Sequence, residues 1–93
     1  MKSMKKSRSL TSAQIRAGRG LLRWSATDLA REAALGLATI KRAEIAEKET
    51  SMTAANDLAV RRALEAAGVE FIDENGGGPG VRLRKSGKEK PRK

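Results

Sequence analysis

The 93-residue chain carries 20 lysines and arginines against 11 aspartates and glutamates, a formal net charge of +9. At this length it makes one small domain, with no room for a second core. It contains neither cysteine nor histidine, which excludes disulfide scaffolds, thiol chemistry, zinc fingers and imidazole-dependent nucleophilic catalysis. Trp24 and Phe71 are its only aromatic residues, too few for a protein that stacks single-stranded bases. No apolar run reaches the length of a membrane span, and the basic start is not followed by an apolar signal core. The expectation is a binding module of a reducing cytoplasm, not an enzyme, with no cofactor and no metal.

The charge is unevenly placed. Residues 1–9 hold Lys2, Lys5, Lys6 and Arg8, a net +4, and residues 82–93 hold seven basic side chains against Glu89, a net +6. Residues 10–48 carry +3, whereas residues 49–81 carry −4, with Arg61 and Arg62 facing six acids. The segments 1–9 and 85–93 are expected to be disordered basic tails. They act either as solubilising chain or as sequence-independent phosphate contacts. Neither tail can specify a sequence, so specificity has to reside between them.

In chain order, residues 11–23 are predicted to form a first helix. Thr11 and Gln14 have the spacing of a capping box, and Ile15, Gly18 and Leu22 share one face. Gly18 and Gly20 each weaken this helix by about 1 kcal/mol relative to alanine, which calls for tertiary packing or a close approach. Trp24 then anchors the core or its rim. Ser25 and Asp28 repeat the capping-box spacing and open a second helix, about 26–34, whose Leu29, Ala30 and Ala33 face inward. After a break at Ala34, Leu35 and Gly36, a third helix is expected from Leu37 to about Glu47, with Ile40, Ala43 and Glu44 on its inner face. Taken at about 100° per residue, Ala38, Lys41, Arg42 and Ile45 face outward. Residues 48–53 read as a loop. Thr53 caps a fourth helix, about 54–67, with Val60, Ala63, Leu64 and Ala67 in one stripe, and Gly68 stands where a helix end favours a left-handed residue. The β-prone runs 69–73 and 81–84, separated by a glycine-rich turn, predict a hairpin. Domain 10–68 would thus be mainly α, with 69–84 a strand extension suited to dimerisation.

Two short helices, a tight break and a third helix offering cations form the pattern of a DNA-reading helix-turn-helix. The stretch Ser25-x-x-Asp28-Leu29-Ala30, Ala34-Leu35, Thr39-Ile40 and Glu44 resembles the phage-repressor-like (Cro/Xre) helix-turn-helix family of transcriptional regulators. The run from Arg61 to Ile72 is similar to the closing helix and strand of its small bacterial members. The resemblance spans about residues 10–84 and implies a four-helix repressor-like domain that binds double-stranded DNA as a homodimer. It places Leu37, Ala38, Lys41 and Arg42 at base edges. It places Ser25, Ala26, Thr27, Thr39, Lys48 and Thr50 at backbone phosphates, and Arg19 with Glu44 in a structural ion pair. Leu37 and Ala38 depart from the amides, hydroxyls or arginine that relatives carry. With Ile45 they also suit a protein-binding helix, so an antitoxin or antiactivator on the same fold is the alternative.

Overall fold

A computed structural model describes residues 9–46, 50, 52–73 and 76–84. The expected tails, 1–9 and 85–93, lie outside them apart from Ser9, as do Lys48 and Glu47. Four helices come first: α1 (Ser12–Leu22), α2 (Ala26–Ala33), α3 (Leu37–Glu44) and α4 (Ala54–Ala66). An antiparallel pair of strands follows, β1 (Val69–Ile72) and β2 (Gly80–Leu83), with Val69 opposite Leu83 and Ile72 opposite Gly80.

Local chemistry accounts for the helix starts. Thr11 accepts the Gln14 amide while the Gln14 side chain accepts the Thr11 amide, and Ser25 and Asp28 repeat the exchange for α2. Thr53 caps α4 through the Asn56 amide. Each contact satisfies a donor that has no partner within its helix.

The helix ends show less regard for residue preference. Arg23 and Ala34 close α1 and α2 in left-handed conformation, φ 61° and 58°. In both cases the following amide reaches back five residues, Trp24 to the Arg19 carbonyl and Leu35 to the Ala30 carbonyl, the double closure usually built on glycine. At Ala34 the methyl group is tolerated in the tight turn because Leu35 is then drawn back against the core. Gly68, φ 111°, turns the chain from α4 into β1. The third helix ends at Glu44, with Ile45 as its cap, and not near Glu47 as the sequence suggests. The fourth loses Ala67 from its stripe, since that residue is exposed.

The core is a single apolar cluster. Leu10, Ile15, Leu29, Ile40, Val60, Leu64 and Val69 are fully buried, joined by Ala30, Ala33 and Ala43. Trp24 and Phe71 pack on its rim, only partly buried. Gly18 is buried where α1 meets α4 and β1, and a Cβ there would sit 3.4 Å from Leu64 and 3.6 Å from Val69, an ordinary van der Waals contact. Gly20 has no neighbour within 4 Å of such an atom, and the structure offers no reason for it.

Candidate functional site

α3 is presented outward by contacts on its other side. Its inner residues Ile40, Ala43 and Glu44 are buried. Leu37, Ala38, Lys41, Arg42 and Ile45 are exposed, Leu37 at 36% and Ile45 at 79%. Ala38, Lys41, Arg42 and Ile45 are the outward set that helical periodicity predicts, and Leu37 at the helix start joins them. Lys41 and Arg42 take no ion pair with any described residue. The N-cap of α3 is Gly36, which offers no side chain to the first turn. Its first turn holds no acidic residue, so no side chain of α3 itself offsets the positive end of the helix dipole.

Three side chains of α1 hold the opposite end of α3. Arg19 forms a two-pronged ion pair with Glu44, Nε to Oε2 at 2.7 Å and the terminal nitrogen to Oε1 at 2.8 Å. Arg16 donates to the Glu44 carbonyl and Ser12 to the Ala46 carbonyl. The Glu44 carbonyl at the end of α3 and the Ala46 carbonyl just beyond it, which no helical amide reaches, are thus satisfied by α1. Arg19 also donates to the Trp24 carbonyl at 2.9 Å, tying the α1–α2 link to the same anchor. The hydrogen bond it donates to Glu44 holds the Arg19 guanidinium above its ordinary pKa, against the opposing effect of burial. The implied structural ion pair is therefore present. Arg16 and Ser12 escape sequence reasoning, although Ser12, Arg16 and Arg19 recur every three or four residues along one face of α1.

The residues the resemblance assigns to phosphates are not equivalent in the structure. Ser25 and Thr27 are exposed at the start of α2, and Ala26 is half-buried against the core. The Ser25 hydroxyl already accepts the Asp28 amide at 3.0 Å, and Asp28 accepts the Ser25 amide at 2.8 Å. Asp28 also meets Arg31 at 3.0 Å. The Ser25 amide above all, then Arg31, holds the Asp28 carboxyl below its ordinary pKa. Thr39 is half-buried in the first turn of α3. Thr50 departs from its assignment. It is buried at 7% exposure, its amide donates to the Leu10 carbonyl at 3.3 Å, and its hydroxyl accepts the Met52 amide. It braces the segment before α4 against Leu10, just ahead of α1, and its burial leaves little of it open to a phosphate. Lys48 lies outside the described residues.

Gln14 is a further residue whose role the sequence conceals. Beyond capping α1, its side-chain amide donates to the Gly80 carbonyl at 3.1 Å and the Ile72 carbonyl at 3.5 Å. It thereby fastens the turn end of the hairpin to α1. Among the described residues no cluster of acidic side chains is arranged to hold a metal ion, and no helix is long and apolar enough to cross a membrane. No protein-family model matches the chain, and no curated protein matches it.

Proposed function

We propose that this protein is a sequence-specific double-stranded DNA-binding regulator of transcription, with α2, the turn at Ala34–Leu35–Gly36 and α3 acting as a helix-turn-helix. The supporting observation is that Lys41 and Arg42 stand exposed, without ion-pair partners among the described residues, on a helix clamped from behind. A rigid cationic helix of this kind suits the major groove. Arg42 reads guanine through O6 and N7, and Lys41 gives a second hydrogen-bonding or phosphate contact. Leu37 and Ala38 contact thymine methyl groups. Ser25, Ala26 and Thr27 at the start of α2, with Thr39, flank the phosphate backbone. The resemblance to phage-repressor-like regulators supports the same reading, and such a protein works in the cytoplasm on the nucleoid. Selection from a random pool of duplexes tests it. A shared sequence emerging over several rounds is expected, whereas a pool that stays random at every salt concentration contradicts the proposal.

One observation favours a second reading. Ile45 is 79% exposed next to the cationic face, with Leu37 at 36%, an arrangement also suited to a protein partner. Purification from the native host separates the two: a stoichiometric protein that shields residues 37–45 supports an antitoxin or antiactivator.

A further inference from the structure

The two turns of α3 differ in chemistry. The first exposes Leu37 and Ala38 and holds no acidic residue. The second exposes Lys41 and Arg42, which take no ion pair with a described residue. Leu37 stands four residues before Lys41, and Ala38 four before Arg42, so each apolar side chain shares a line along the helix with a cation one turn on. The other side chains of the first turn face elsewhere. Ile40 is buried, and Thr39 is half-buried with its hydroxyl 4.0 Å from where a Cβ on Gly36 would stand. Leu37 and Ala38 thus present an outward surface that has no hydrogen-bonding side chain.

An apolar turn followed by a cationic one complements a particular surface. The cations draw a polyanion. The major-groove edge of duplex DNA is lined with donors and acceptors, and its one apolar group is the C5 methyl of thymine. Side chains without a donor or acceptor cannot read the polar pattern of a base edge. What Leu37 and Ala38 can distinguish is whether a pyrimidine carries a methyl group. Cytosine methylated at C5 presents that same group at the same place.

We infer, resting on the DNA-binding proposal above, that the first turn of α3 reads pyrimidine C5 methyl groups and takes thymine and 5-methylcytosine alike. Binding therefore responds to methylation of cytosine. Arg42 selects the guanine, and Leu37 and Ala38 select what lies near it. Four residues of helix rise about 6 Å, close to two base-pair steps of about 3.4 Å. The methyl-bearing pyrimidine and the guanine thus stand about two base pairs apart. Burial of one methyl group against Leu37 or Ala38 strengthens binding about fourfold.

The duplex that the full chain enriches from a random pool serves as the probe. Each thymine is replaced in turn by deoxyuridine, which keeps every hydrogen-bonding group and lacks the methyl. Near the guanine whose recognition Arg42→Ala abolishes, the replacement should weaken binding about fourfold. At that position a 5-methylcytosine·guanine pair should bind about fourfold more tightly than a cytosine·guanine pair. Leu37→Ala combined with Ala38→Gly should erase both differences, whereas Arg42→Ala should keep them. An enriched duplex that tolerates uracil at every thymine, or that has no thymine near that guanine, overturns the inference and leaves DNA reading in place. So does a methyl preference that persists in the double variant, since the methyl would then be read elsewhere. A pool from which no sequence emerges, the result a protein-binding face would give, overturns both. The modified duplexes are bound by the unmodified chain, so the outcome does not depend on a variant folding.

Discussion

Arg19 grips both carboxylate oxygens of Glu44, at 2.7 and 2.8 Å, while its remaining nitrogen holds the Trp24 carbonyl at 2.9 Å. One side chain of α1 thus fixes both the end of α3 and the entry to α2. Glu44 is nearly buried and Arg19 is about a quarter exposed, so the pair is worth more than a surface contact but less than a fully buried one. Glu44→Gln should destabilise the fold by about 1.5–3 kcal/mol, read as a lower denaturant midpoint at unchanged slope. An unchanged midpoint would mean that α3 is held by packing alone.

Gln14 should matter to the hairpin more than to its own helix. Gln14→Ala removes the donor to the Gly80 and Ile72 carbonyls and costs about 0.5–1.5 kcal/mol, the net worth of a typical hydrogen bond. Amide exchange should quicken first in β1 and β2. Loss confined to the first turn of α1 would show that the cap alone carries its effect.

Two backbone positions invite stabilising changes. Ala34 holds φ 58°, and Ala34→Gly relieves a left-handed strain of about 1 kcal/mol. At Gly20, where an added Cβ meets nothing within 4 Å, Gly20→Ala should add about 0.5–1 kcal/mol through helix propensity. Thermal melting checks both, and a fall in melting temperature for either would contradict the geometry described.

The Asp28 carboxyl is held below its ordinary value of 3.8 by the Ser25 amide and Arg31. A depressed folded value means its contribution is complete above the ordinary carboxylate range. That contribution is lost as pH falls through the lower folded value. Titration followed by NMR should place Asp28 below the ordinary value, with Arg31→Gln raising it part of the way. Titration at the ordinary value would show the α2 cap to be open in solution.

Much of this fold is legible in short-range sequence chemistry. The capping pairs Thr11/Gln14 and Ser25/Asp28, the cap at Thr53 and the turn at Gly68 each depend on residues within a few positions. Periodicity likewise separates Ile40, Ala43 and Glu44 from Lys41 and Arg42 on α3. What stays hidden depends on chain segments far apart. Arg16 reaches the Glu44 carbonyl and Gln14 reaches Gly80, and no local pattern marks either. The burial of Thr50 arises the same way, from its bond to Leu10. At Ala34 the sequence marks the break but not its left-handed conformation, φ 58°, which the fold imposes on a residue that does not itself prefer it. α3 ends at Glu44, where Arg16 takes the Glu44 carbonyl and Ser12 the Ala46 carbonyl beyond it, whereas apolar spacing alone extends the helix further.

Under the proposed function the outward face of α3 reads base sequence, and Arg42→Ala removes its guanine-reading side chain. Affinity is to be measured for the duplex selected by the unmodified protein and for a random duplex, each at several salt concentrations. A loss on the order of tenfold to a hundredfold is expected on the selected duplex and a much smaller loss on the random one. Equal losses on both, or equal affinity of the unmodified protein for both, would contradict it.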